Sequence, residues 1–103
     1  MTTESEVDLG WLWQVLAERR DAGDLDSSYT ARLLDAGPDR IAQKVGEEAT
    51  ETIIAGQRLQ RGEAREEVIG ETADLVYHLF VYLLALGVDA SEVVDELKKR
   101  HES

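Results

Sequence analysis

Apolar residues recur every three or four positions in several separate segments of this chain, which is the period of an amphipathic helix. The spacing predicts helices over residues 9–22, 29–36, 38–59, 63–86 and 90–100. No segment alternates apolar and polar residues with the two-residue period of a half-buried strand. We therefore expect an all-α fold, a bundle of about four to five helices.

Capping residues mark the ends of these segments. Ser28 is suited to cap the second helix, Gly37 to end it and Pro38 to occupy the first turn of the third helix. Asp89 and Glu92 have the spacing of a capping box at the start of the last helix. Asp8 can cap the first helix in the same way.

The third and fourth helices are joined by a short turn at Arg61 and Gly62. A connection this short makes consecutive helices antiparallel neighbours. The carboxylates of the two helices are then expected to face each other across the hairpin.

The third helix carries a carboxylate on its apolar side. Glu48 falls in the middle of the apolar stripe, Glu51 lies one turn along at its edge, and Lys44 lies between them in angle. Glu47 is further round the helix, nearer solvent. The stripe is formed by Ile41, Val45, Thr52, Ala55, Gly56 and Leu59.

The fourth helix carries Glu71, Asp74 and His78 on the side opposite its main apolar face. Its C-terminal half is apolar nearly all round, so we expect it to be covered on more than one side and its carboxylates to face protein. The expected core face contains Ile69, Thr72, Ala73, Val76, Leu79, Phe80 and Leu83.

The carboxylates of an ExxE pair and an ExxD pair on facing helices suit a hard divalent cation. Carboxylates buried side by side repel one another and lose hydration, so a cation among them is expected. Oxygen ligands favour Mg²⁺, with Mn²⁺ as the alternative. A solvated acidic helix face is the competing interpretation in a chain with 22 acidic residues. The position of Glu48 on an apolar stripe and the apolar character of the fourth helix favour the metal site.

Composition sets further bounds. The 103 residues suit one domain, residues 9–103, preceded by a flexible tail over residues 1–8. There is no cysteine, no signal-peptide pattern and no long uninterrupted apolar run, so we expect a cytoplasmic protein without a membrane helix. The net charge of −11 argues against nucleic-acid binding, although a metal-bridged phosphate ligand remains compatible with it.

The start of the second helix has a second interpretation besides capping. The hydroxyls of Ser28, Tyr29 and Thr30, with Arg32 one turn on, could receive phosphate oxygens.

Two other residues near the carboxylates carry two interpretations each. Lys44 could contact a phosphate or form an ion pair with Glu48, and His78 could contact substrate or be a buried, hydrogen-bonded histidine.

Glycines inside the long helices weaken them by up to about 1 kcal/mol each relative to alanine. A closely approaching helix or ligand would explain Gly46, Gly56 and Gly70.

Three segments together resemble the phosphoribosyl-ATP pyrophosphatase family of histidine biosynthesis. They are SYTARL at 28–33, KVGEEATE at 44–51 and ETADLVYH at 71–78, within a likeness that extends over residues 9–101. The acidic pairs alone would indicate only the wider MazG-like group of all-α nucleoside triphosphate pyrophosphatases. The first and third segments narrow the resemblance.

The resemblance implies Mg²⁺-dependent hydrolysis of phosphoribosyl-ATP to phosphoribosyl-AMP and pyrophosphate by a homodimer. It implies that Glu48, Glu51, Glu71 and Asp74 are metal ligands. Glu47 would position or deprotonate the attacking water or act as an outer ligand, and Glu48 would belong to the catalytic pair with it. Many relatives have lysine where this chain has Arg32, which keeps the charge but changes its geometry.

Two alternatives stay open at the level of sequence. One is a MazG-like pyrophosphatase acting on ordinary or damaged nucleotides, and the other is a non-catalytic acidic helical binding module. The enzymes differ in recognition of the base and ribose, for which the sequence provides no direct signal.

Overall fold

A computed structural model describes residues 7–102 and shows five α-helices within them. They are α1 (Gly10–Ala22), α2 (Tyr29–Ala36), α3 (Pro38–Gln60), α4 (Arg65–Leu86) and α5 (Ala90–His101). The predicted all-α fold is confirmed, and the described part of the chain contains no strand. Most of the predicted N-terminal tail, residues 1–6, lies outside the described residues.

The capping signals act as predicted. The Ser28 hydroxyl accepts a hydrogen bond from the Ala31 amide at 3.0 Å at the start of α2. At the start of α5 the Asp89 carboxylate accepts from the Ser91 amide, and Glu92 accepts from the Asp89 amide. These caps satisfy backbone N–H groups that have no partner inside a helix.

Two glycines end helices in conformations that other residues adopt at a cost. Gly37, with φ of 103°, separates α2 from α3, and Gly87, with φ of 74°, ends α4. Asp8 accepts from the Gly10 amide at 2.9 Å, although the capping position of α1 itself is Leu9.

Helices α3 and α4 form the antiparallel hairpin that the turn predicts. The Gly62 amide donates to the Leu59 carbonyl at 2.8 Å inside the turn. Arg58 on α3 pairs with Glu63 in the connection and with Glu67 on α4, each at 2.8 Å. The hairpin therefore fixes which turns of the two helices lie side by side.

The hydrophobic core lies where α1 and α2 pack on one end of this hairpin. Its buried members come from helices α1 to α4: Leu16, Leu33, Ile41, Val81 and Leu84. Trp13 packs edge-on against Phe80, with ring centroids 5.5 Å apart.

The packing face of α4 differs from the predicted one. The face buried in the chain carries His78, Val81 and Leu84, whereas Ile69 is 60% exposed and Leu79 is exposed. The prediction of which face of α4 is buried was therefore wrong for a single copy of the chain. A helix that is apolar nearly all round does not specify by its pattern which side its neighbours will cover.

The uncovered side of α4 forms an apolar surface with the start of α1. Trp11 is 63% exposed there, whereas Trp13 packs against the core. We call this concavity, of about 590 Å³, the α1/α4 groove. It is lined by Leu9, Trp11, Leu12, Val68, Ile69, Thr72, Ala73, Val76 and Tyr77. The apolar side chains of α5 are also exposed: Val93, Val94 and Leu97.

One further expectation is corrected. A Cβ atom at Gly46, Gly56 or Gly70 would meet no atom of the described residues within 4 Å, so no described helix approaches these glycines closely.

Helix α4 is long and apolar enough to cross a membrane by length and composition, with a mean hydropathy of 1.4 in an 18-residue window. A core helix of a bundle passes the same test, so this finding does not contradict the expectation that no helix spans a membrane.

Candidate metal centre

Three carboxylates from the two hairpin helices converge. Glu48 on α3 and Glu71 and Asp74 on α4 each have a carboxylate oxygen within 4.8 Å of the others. The antiparallel turn creates this convergence because it aligns the middle of α3 with the first half of α4. Of the four predicted ligands, the structure brings these three together.

Glu48 is the buried member of the group, with 7% of its surface exposed. Its Oε1 atom is buried without a hydrogen-bond partner among the described residues, and its Oε2 lies 3.8 Å from Lys44 Nζ. Burial raises the pKa of Glu48 above its ordinary value, and the neighbouring Glu51 and Asp74 carboxylates raise this pKa further. Burial and the two carboxylates therefore disfavour the ionised form of Glu48, and Lys44 and His78 offset this only in part.

Glu71 shares this electrostatic environment. Partial removal from water raises its pKa, and the carboxylates of Glu51 and Glu48 add to the increase. Glu51 itself is exposed and lies outside the set of three, but these effects place its carboxylate beside both Glu48 and Glu71. Glu51 is thus a neighbour of the cluster.

The residues present fit a divalent cation. An unpartnered buried carboxylate oxygen and two further carboxylates within 4.8 Å form an oxygen-only donor set, which Mg²⁺ and Mn²⁺ prefer. A positive ion among them would remove the repulsion that raises the pKa of Glu48 and Glu71. The described residues supply only one cation here, Lys44, at a distance longer than a hydrogen bond.

Lys44 and Glu47 lie on the solvent side of Glu48. Lys44 Nζ is 3.6 Å from the Glu47 carboxylate, and Gln43 donates to Glu47 at 3.3 Å. Lys44 is therefore shared between Glu47 and Glu48, in agreement with the ion-pair interpretation of this lysine. Glu47 is exposed and does not belong to the set of three carboxylates.

The polar groups predicted at the start of α2 bond within the protein. Ser28 serves as the cap, and the buried Thr30 hydroxyl bonds to the Tyr77 hydroxyl. Arg32 donates to the Leu25 carbonyl at 2.9 Å. A phosphate could reach these groups only if those hydrogen bonds were replaced.

Tyr29 and His78 form a direct link between α2 and α4. The Tyr29 hydroxyl lies 3.2 Å from His78 Nε2, and His78 Nδ1 lies 2.7 Å from the Asp74 carbonyl oxygen. His78 is 5% exposed, so it is a buried, hydrogen-bonded histidine one helical turn from the Asp74 carboxylate. The carboxylate cluster and α2 are thereby connected.

Sequence reasoning assigned no role to Tyr77. In the structure it bonds to Thr30, and its ring stacks on that of Tyr29 with an interplanar angle of 18°. Its position directly before His78 was visible, but its partners on α2 depend on how α2 packs across α4.

The family model for phosphoribosyl-ATP pyrophosphohydrolase matches residues 9–101, which is most of the chain. The chain belongs to this family. Curated relatives named phosphoribosyl-ATP pyrophosphatase include one from Trichlorobacter lovleyi that is 51% identical over 89 residues, covering 86% of this chain and 78% of the relative. Another, from Geobacter metallireducens, is 47% identical over 89 residues, which cover 86% of this chain and 77% of the relative.

A longer relative carries the same domain. The histidine biosynthesis bifunctional protein HisIE of Escherichia coli is 47% identical over 91 residues, which cover 88% of this chain and 42% of that protein. The resemblance identified from the three segments is thus confirmed for the family. The opposed carboxylates of α3 and α4 form the candidate centre of a pyrophosphohydrolase fold.

Proposed function

We propose that this protein hydrolyses phosphoribosyl-ATP to phosphoribosyl-AMP and pyrophosphate, the second step of histidine biosynthesis. The observation that carries the proposal is the set of opposed carboxylates Glu48, Glu71 and Asp74 in a chain of this family. Such a set suits a substrate whose triphosphate reaches an acidic surface through a bound cation.

Mg²⁺ is the proposed cofactor, with Mn²⁺ as a substitute, held by Glu48, Glu71 and Asp74 and supported by Glu51. When bound, such an ion neutralises charge on phosphoryl oxygens and lowers the pKa of coordinated water. Glu51 is assigned the supporting role because it neighbours Glu48 and Glu71 but does not belong to the three carboxylates whose oxygens all lie within 4.8 Å of one another.

Glu47 is proposed to position the attacking water and to accept its proton. Glu48 is the buried glutamate beside it in the catalytic pair. The water oxygen forms a new bond to phosphorus while the anhydride bond between the α- and β-phosphates breaks. Pyrophosphate leaves with the bonding electron pair. Glu47 suits the role of base because its carboxylate is exposed. Among the described residues it accepts a hydrogen bond from Gln43 and forms an ion pair with Lys44.

Lys44 is proposed to contact a phosphate once substrate is bound. Its distances of 3.6 Å to Glu47 and 3.8 Å to Glu48 exceed those of charge-assisted hydrogen bonds. The ammonium group can therefore turn towards a phosphate oxygen without losing a strong bond. Ser28, Thr30 and Arg32 are each bonded within the protein. They would contact a phosphate directly only after losing those hydrogen bonds.

We further propose a cytoplasmic homodimer. The α1/α4 groove leaves Trp11 and Ile69 more than half exposed, and a second copy covering it would bury this apolar surface. Sedimentation analysis should find a dimer that Trp11→Asp shifts towards monomer. Leu97→Asp on α5 is the matched control for a charge placed on the other exposed apolar face.

The activity is tested by pyrophosphate release with Mg²⁺ from phosphoribosyl-ATP, ATP and dCTP, each assayed at the same enzyme concentration. A strong preference for phosphoribosyl-ATP is expected. Comparable rates with all three would favour a broader MazG-like pyrophosphatase, and no turnover with any would favour a non-catalytic binding module.

A further inference from the structure

Tyr29 is a partly exposed aromatic residue on α2 that is linked to α4, the helix of Glu71 and Asp74. The residue is 44% exposed, and its hydroxyl bonds to the buried His78. His78 follows Asp74 by one helical turn and bonds to its carbonyl oxygen. A nucleotide with its phosphates at the cluster and its base directed towards α2 would bring the base to Tyr29.

The hydroxyl of Tyr29 is already engaged within the protein. His78 Nδ1 faces the Asp74 carbonyl oxygen, which can only accept, so Nδ1 carries the proton. The Tyr29 hydroxyl lies 3.2 Å from the other ring nitrogen, Nε2. A phosphate oxygen could therefore reach this hydroxyl only by replacing its bond to His78.

The ring is also held in one orientation. It stacks on Tyr77 with centroids 6.1 Å apart and meets His78 edge-on at 6.0 Å. A ring fixed before a ligand arrives loses little conformational freedom on binding. An aromatic side chain of this kind is suited to stack against a planar base.

The geometry points to Tyr29 as a specificity-determining residue that stacks against the purine of the substrate, with His78 and Tyr77 as positioning residues that hold its ring. This inference rests on the proposed function, because it takes a nucleotide triphosphate as the substrate. It assigns Tyr29 to the organic part of the substrate and leaves the phosphates to the carboxylate cluster and Lys44.

The test compares Tyr29→Leu, which removes the ring, with Tyr29→Phe, which keeps the ring and removes the hydroxyl. For phosphoribosyl-ATP, Tyr29→Leu should raise KM about tenfold while kcat stays within about threefold, a loss in the range of one stacked base. Tyr29→Phe keeps the stacking surface but loses the bond to His78, so it should raise KM less than Tyr29→Leu does.

Product inhibition separates stacking from a general loosening of α2. Phosphoribosyl-AMP contains the base, whereas inorganic pyrophosphate does not. Tyr29→Leu should raise the inhibition constant of phosphoribosyl-AMP about tenfold and leave that of pyrophosphate unchanged. Equal increases for both products, or no increase for phosphoribosyl-AMP, would overturn the inference.

The two proposals fail in different ways. If the wild-type protein does not turn over phosphoribosyl-ATP, the proposed function is wrong. If it does and Tyr29→Leu retains the wild-type KM and product inhibition, only the assignment of Tyr29 is wrong. Circular dichroism and the thermal midpoint of each variant establish that the compared proteins are folded.

Discussion

Glu48 on α3 and Asp74 on α4 hold carboxylate oxygens within 4.8 Å of each other, and each residue comes from a different side of the hairpin. The Asp74 carboxylate is one of the charges that raise the pKa of Glu48. Two acidic groups in this relation are unfavourable for folding and favourable for binding a cation.

Removing either charge should eliminate catalysis while leaving the fold intact. We expect Glu48→Gln and Asp74→Asn to lower turnover at least about 100-fold, because even residues outside the ligand set commonly alter metal affinity or activity by about 10 to 100-fold. Without Mg²⁺ both variants should unfold at higher temperature than the wild type, since like-charge repulsion is relieved.

Glu66→Gln is the matched control for those variants. Glu66 is exposed in the first turn of α4, so its replacement makes the same change of net charge on the same hairpin. Its turnover should equal that of the wild type. Near-native turnover of Glu48→Gln or Asp74→Asn would contradict the metal-site assignment.

Glu51→Gln should have a smaller effect than Glu48→Gln. Glu51 influences Glu48 and Glu71 but lies outside the three carboxylates with mutually short oxygen distances. We expect the Mg²⁺ concentration for half-maximal activity to rise by about 10 to 100-fold. A loss of turnover as complete as in Glu48→Gln at saturating Mg²⁺ would place Glu51 among the direct ligands.

Stability without metal should fall as pH rises through the acidic range. The pKa values of Glu48 and Glu71 lie above their ordinary value of 4.5 in the folded protein. The folded state therefore binds more protons than the unfolded state from about this pH up to the raised pKa values, and stability decreases across that window. Thermal unfolding with EDTA should show a smaller decrease in Glu48→Gln than in the wild type.

Mg²⁺ should reverse this loss at neutral pH and have little effect where the carboxylates are protonated. The measurement is the increase in thermal midpoint on adding Mg²⁺, compared between neutral pH and a pH below 4.5. An equal increase at both values, or the same increase in Asp74→Asn, would indicate binding elsewhere on the acidic surface.

Gly46→Ala should stabilise the protein. A Cβ atom at Gly46 meets no described atom within 4 Å, so the substitution gains helix propensity of about 0.5–1 kcal/mol without a clash. Urea unfolding measures the change. A loss of stability accompanied by dissociation of the dimer would show that a second subunit covers this side of α3.

The helices, their caps and the hairpin could be predicted from the sequence. These features depend on local periodicity and on single residues such as Ser28, Gly37 and Asp89, whose effects act within a few positions of the chain. Glu48 on an apolar stripe also indicated the acidic site, since a carboxylate there has to face another helix.

Which sides of the helices meet depends on the tertiary packing. The apolar character of α4 was evident, but only the packing of α1, α2 and α3 against it buries His78 and Val81 and leaves Ile69 exposed. The same packing sets Glu51 outside the cluster and joins Tyr29 to His78. Distances between side chains on different helices depend on how the helices pack, and a sequence pattern specifies only the angle of each residue on its own helix.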